Sequence, residues 1–165
     1  MKEAKAALPS RLVYGALAGL VATAPMTAVM RRLHRKLKKK QQYPLPPREI
    51  VGAVAPGADD ASATDSTLVA HFAYGALSGA ALAAVIERPS VVRGMSGGVV
   101  VWLASYLGWI PAAGILKPAT RHPARRNALM LVAHLVWGSA YAVAQRELIK
   151  SRTAFDDGPL KDVAG

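Results

Sequence analysis

Four long stretches of this chain carry no Asp, Glu, Lys or Arg: residues 12–30, 68–86, 94–116 and 128–144, of 19, 19, 23 and 17 residues. At about 1.5 Å of rise per residue, a helix of the first length covers roughly 28 Å, close to the hydrocarbon thickness of a bilayer. The runs are apolar on every face, rich in Ala, Leu and Gly, and far longer than ordinary strands. They predict an all-α fold, an integral membrane bundle of four transmembrane helices. A single membrane domain over 1–165 follows, with a polar loop at 31–67 and a polar tail at 145–165.

The charge between the runs supports this division. The chain is 52% hydrophobic yet carries 21 Lys+Arg against 10 Asp+Glu, a net charge of +11. A soluble fold would scatter those charges, whereas here they gather at the ends of apolar spans. Their expected partner is therefore anionic lipid headgroups and not nucleic acid. The absence of cysteine removes disulfides, thiolate catalysis and zinc or iron–sulfur sites built on Cys.

The first span has some features of a signal peptide. Lys2, Lys5 and Arg11 form a basic flank, and Ala22-Thr23-Ala24 resembles a cleavage site. Pro25 directly after it disfavours cleavage, and the run continues to Met30 and a stop-transfer cluster, so the span is read as retained. That cluster holds Arg31, Arg32, Arg35, Lys36, Lys38, Lys39 and Lys40, the residues expected at lipid headgroups. With Arg48, and with Lys117, Arg121, Arg125 and Arg126 after span three, it places loops one and three in the cytoplasm and both termini outside. Arg146, Lys150 and Arg152 pull the other way. Met30, Leu33 and Leu37 share a helical face, so the first helix is expected to run on as an amphipathic extension until Pro44. Residues 55–67, small, polar and acidic, read as a mobile linker.

Three spans share a pattern: a basic residue, two apolar ones, an aromatic, then glycine with a small residue four further on. Span one has Arg11-Leu-Val-Tyr14-Gly15 and Gly19, span two His71-Phe-Ala-Tyr74-Gly75 and Gly79, span four His134-Leu-Val-Trp137-Gly138 and Ala142. Span three offers Gly94 and Gly98. Residues four apart share a helix face, and small residues there let backbones approach closely in lipid. His71 and His134 lie on these stripes and should point inward, forming a candidate polar core with Thr23 and Thr27. Counted from the starts of their apolar runs, the two histidines stand at unequal depth. The match between spans two and four suggests a duplicated hairpin.

Pro25 and Pro111 fall inside spans and predict kinks, each freeing a carbonyl that Thr23 and Thr27, for Pro25, are placed to satisfy. Pro44, Pro46, Pro47 and Arg48 make a rigid extended segment leading into a short helix over 48–54 with Pro47 near its first position. That segment fits a loop fixed against the membrane face, or a polyproline ligand for another protein.

Together Pro44-Leu-Pro-Pro-Arg48, a His-bearing second span, Ile110-Pro111-Ala-Ala-Gly114-Ile-Leu-Lys-Pro118 and His134-Leu-Val-Trp137 resemble the YagU-like family of bacterial inner-membrane proteins. The resemblance covers roughly residues 12–144. It implies a four-helix inner-membrane protein and supplies no reaction.

Function is less constrained. No acidic residue lies in any span, and neither a Ser/His/Asp nor an HExxH arrangement exists, so the chain does not read as an enzyme. The four histidines form no local ligand cluster, and neither a metal nor a cofactor is expected. The small-residue stripes suggest a structural or accessory subunit, a partner in a membrane complex, or a homo-oligomer. One alternative is a small transporter or proton-linked protein using His71 and His134. A second is b-type haem held between those histidines, with their unequal depth against it.

Overall fold

The structure, a computed structural model, describes residues 7–57 and 59–156. Lys2, Lys5 and the last part of the polar tail, 157–165, lie outside the described residues. The elements are α1 (Leu8–His34), α2 (Pro46–Val54), α3 (Asp60–Val85), α4 (Val91–Leu103), α5 (Ile110–Ala112) and α6 (Ala124–Asp156), with a π-helical stretch over Ala104–Trp109 joining α4 to α5. The described residues are helical with no strand. Four helical segments are long and apolar enough to cross a membrane: Leu8–His34, Asp60–Val85, Val91–Ala112 and Ala124–Arg152. The chain is an integral membrane bundle.

Helix ends follow backbone chemistry more than hydropathy. The Asp59 carboxylate caps α3, accepting hydrogen bonds from the amides of Ala61 and Ser62 at 3.1 and 3.0 Å. α3 therefore starts at Asp60, before its apolar run, and most of the expected mobile linker is its first two turns. At the other end of the first span, α1 stops at His34 and does not extend to Pro44. The chain turns there, and Leu33 and Leu37 fold back onto the core. α2 begins at Pro46, two residues earlier than expected, and the fixed φ of proline suits that first position.

The small-residue stripes are the helix contacts. Gly15 and Gly19 of α1 lie against Gly79 and Gly75 of α3, so close that a Cβ on any of them would meet backbone or side-chain atoms of the other helix. Gly94 and Gly98 of α4 meet α6 in the same way, at Gly138, Ala142 and the carbonyl of His134. α1 and α6 join these two hairpins. Ala18, Ala22 and Ala133 are fully buried, and Trp137, 1% exposed, donates its indole N–H to the Gly19 carbonyl at 3.1 Å. The resulting order in space is α3, α1, α6, α4. α3 and α4 meet near their connecting turn, where Leu82 and Ile86 face Gly97, and are less closely packed toward α2.

The two prolines sit in different settings. Pro25 sits on the exposed face of an unbroken α1. The Thr23 and Thr27 hydroxyls donate to the carbonyls of Gly19 and Thr23, at 2.8 and 2.7 Å, and not to the Val21 carbonyl that Pro25 frees. Span three is kinked in the turn before Pro111: the π-helical stretch contains Gly108 in a non-helical conformation (φ −105°, ψ −111°), and Pro111 lies in the first turn of α5.

Candidate functional site

The interrupted third span, α2 and the widening gap between α3 and α4 enclose a pocket of about 220 Å³. α1 contributes Thr23 and Met26; α6 contributes Met130, His134 and Trp137. The α3 wall is Ala70, His71, Tyr74, Gly75 and Ser78, and the α4–α5 wall is Val101, Ser105, Tyr106, Trp109 and Ile110. Pro46, Pro47, Ile50 and Val51 of α2 cover one end. Ala70, Tyr74 and Trp109 are exposed, the last two at 36% and 43%, so the mouth lies between α3 and α4. No charged side chain lines the pocket among the described residues.

Its polar groups fall into two sets. One is closed on itself: Ser105 Oγ donates to the Val101 carbonyl at 2.7 Å, so Tyr74 Oη must donate to Ser105 Oγ, also at 2.7 Å. Tyr74 Oη in turn accepts the Trp109 indole N–H at 3.2 Å. This relay ties α3 to the interrupted span across the mouth. The second set is open. His134 Nδ1 donates to the Met130 carbonyl at 2.8 Å, which leaves Nε2 as an acceptor. Neither His71 Nε2 nor Tyr106 Oη, both buried, has a hydrogen-bond partner.

Both predicted histidines and Thr23 therefore line one pocket, while Thr27 is used within α1. The histidines stand at similar height: Gly75, four residues beyond His71, and Trp137, three beyond His134, both touch Gly19 of α1. Their unequal depth, counted from apolar runs, disappears because the level of each is set by packing against α1 and not by where its apolar run begins. Sequence reasoning missed Tyr74 and Ser78, which share the His71 face at helical spacing, and a helical-wheel reading around His71 would have found them. Ser105 and Trp109 gave no such signal, because the π-helical stretch shifts the face they present.

Below α2 lies a polar cluster that the sequence reading treated only as topology charge. Arg126, 1% exposed, donates to the Tyr43 carbonyl at 3.0 Å, to the Pro44 carbonyl, and to Glu49 at 2.9 Å. Its guanidinium lies 3.6 Å from the centre of the Tyr43 ring. His122 Nε2 faces the Lys117 carbonyl at 3.0 Å and must donate to it, so Nδ1 accepts the Tyr43 hydroxyl at 2.9 Å. Burial raises the Tyr43 hydroxyl above its ordinary pKa, with Arg126 opposing and Glu49 adding to the effect. Pro44, Pro46 and Pro47 are held by this cluster and by the pocket, whereas Arg48 makes only a 3.2 Å ion pair with exposed Asp60. Arg31, Arg32, Arg35, Lys36, Lys38, Lys39 and Lys40 are all exposed at the same end of the bundle. At the opposite end Arg11 donates to the terminal carbonyls of α3, Ala83 at 2.5 Å and Ala84 at 3.3 Å.

No family model matches the chain, and no curated protein or solved structure matches it.

Proposed function

We propose that this protein is a membrane-embedded binding protein that takes a small, mainly apolar molecule from the bilayer into the pocket between α3 and α4. The observation that carries the reading is an apolar pocket of about 220 Å³ whose mouth is framed by exposed Tyr74 and Trp109 on membrane-crossing segments. Ligand sites in helical bundles are largely apolar and carry a few placed polar groups. Purification in mild detergent, with intact mass and absorbance recorded on the particle, tests it. The wild type should carry a co-purifying small molecule, and a Ser78→Leu variant, with its pocket filled, should lose it. Equal retention by a folded variant would sink the reading, and a Soret band would return it to haem.

The packing-subunit reading drew on the small-residue stripes, which within this chain are contacts between its own helices, and on the absence of charge in the spans. Proton-linked transport has one favourable observation, that His71 and His134 line the same pocket. Proteoliposome flux unchanged by replacing both with alanine would remove it. We also place the protein in the bacterial inner membrane, a reading that rests on the resemblance to the YagU-like family. The exposed basic cluster then lies on anionic cytoplasmic lipid, with α2 at that face and both termini periplasmic. Because the chain has no cysteine, a single Lys38→Cys substitution tests this. An impermeant thiol reagent should fail to label it in intact cells and label it once the membrane is opened.

A further inference from the structure

Two buried polar atoms of residues that line one pocket, His71 Nε2 and Tyr106 Oη, have no hydrogen-bond partner among the described residues, and His134 Nε2 is left as an open acceptor by the bond of Nδ1 to the Met130 carbonyl. Tyr106 and His134 are only 5% and 6% exposed. A buried polar group left unpaired costs about 1–3 kcal/mol, and hydrocarbon offers no water to relieve it. A pocket whose lining residues carry two such groups and the open acceptor of His134 fits an occupant that pairs with them.

The polarity of these groups narrows the occupant. His134 Nε2 can only accept, because Nδ1 spends its proton on the Met130 carbonyl. Tyr106 Oη carries a proton to give. The occupant must therefore donate and accept within one small volume. It must also be neutral, since no Asp, Glu, Lys or Arg lines the pocket to balance a charge. A hydroxyl meets all three conditions with a single oxygen. Resting on the binding reading above, we propose that the ligand is a neutral hydroxyl-bearing amphiphile, an alcohol or phenol on an apolar body. Its O–H donates to His134 Nε2, and its oxygen accepts from Tyr106 or His71.

Four probes of matched length separate the possibilities: 1-octanol, 2-octanone, octane and octanoate, each titrated into the full chain in nanodiscs. Tryptophan fluorescence reports binding, because Trp109 and Trp137 line the pocket. Octanol should saturate the signal at about tenfold lower concentration than the ketone, which accepts but cannot donate, or the alkane. Octanoate should bind weakest. His134→Phe should erase the gap between alcohol and ketone, and His134→Gln, whose amide oxygen still accepts, should restore it. If octane or the ketone binds as well as octanol, the hydroxyl assignment falls while the binding reading stands. An octanol preference that persists in His134→Phe also overturns the assignment. Failure of all four probes to give a saturable signal overturns both.

Discussion

Arg126 shows how a basic residue becomes buried beside a membrane span. Its neighbour Arg125 is exposed, yet Arg126 faces two backbone carbonyls, a carboxylate and an aromatic ring. Replacing it with methionine leaves Glu49 and the Pro44 carbonyl without their donor, while the Tyr43 carbonyl keeps the ring N–H of His34 at 3.1 Å. That should destabilise the protein by about 3 kcal/mol, as for other broken buried pairs. Arg125→Met should stay within about 0.5 kcal/mol of wild type. Thermal unfolding in detergent would measure both, and equal effects would refute the role assigned to Arg126. Asp59 supports a prediction about pH. Hydrogen bonds from the Ser62 side chain and backbone hold its carboxyl below the ordinary range. Its contribution to the start of α3 is therefore complete above the ordinary carboxylate pKa and is lost as pH falls through the lowered value. Protection of the amides over residues 60–64, corrected for the intrinsic exchange rate at each pH, should fall on acidification, and Asp59→Asn should flatten that dependence. Nothing in the sequence distinguished Arg126 from Arg125. Both end an apolar span, and only the return of the Pro-rich segment past α6 selects one for burial.

At the scale of the helices, close approach is the main organising force. Helix pairs in lipid are held by dispersion and short contacts instead of exclusion from water, so a single added side chain on the seam acts directly. Gly79→Leu and Gly98→Leu should each destabilise by about 3 kcal/mol or more, since the new atoms would meet the backbones of Gly15 and His134. Gly52 of α2 has nothing within 4 Å of an added Cβ. Gly52→Ala should stabilise by about 0.5–1 kcal/mol through helix propensity. Unfolding measurements that rank the three differently would contradict the packing described. These seams were legible in the sequence, because spacing by four is a local property of a helix. The boundary of α3 was not, because a capping aspartate extends a helix into residues whose composition reads as linker.

For the molecule as a whole, the fold is two hairpins, α1–α3 and α4–α6, joined along α1 and α6. Each hairpin carries its own small-residue seam. Halves expressed separately, divided between Glu87 and Ser90, should therefore insert and reassemble through the contact of Trp137 with Gly19. Trp137→Leu should prevent recovery of the paired halves from the membrane while leaving each half inserted. Recovery unaffected by that change would mean that another surface holds the hairpins together.

The four charge-free runs determined the fold class, since in hydrocarbon a backbone of that length must satisfy its own hydrogen bonds and only a helix does so within one segment. The small-residue stripes determined which face each helix buries, and the same stripes marked both histidines as inward. What the tertiary structure alone decided was the pocket. It depends on α3 and α4 diverging, on a π-helical stretch turning Ser105 and Trp109 toward Tyr74, and on α2 folding back over one end. Those are relations between segments far apart in the chain, and local spacing carries no record of them. The same holds for the level at which His71 and His134 stand, which is set by how α3 and α6 each pack against Gly19 of α1.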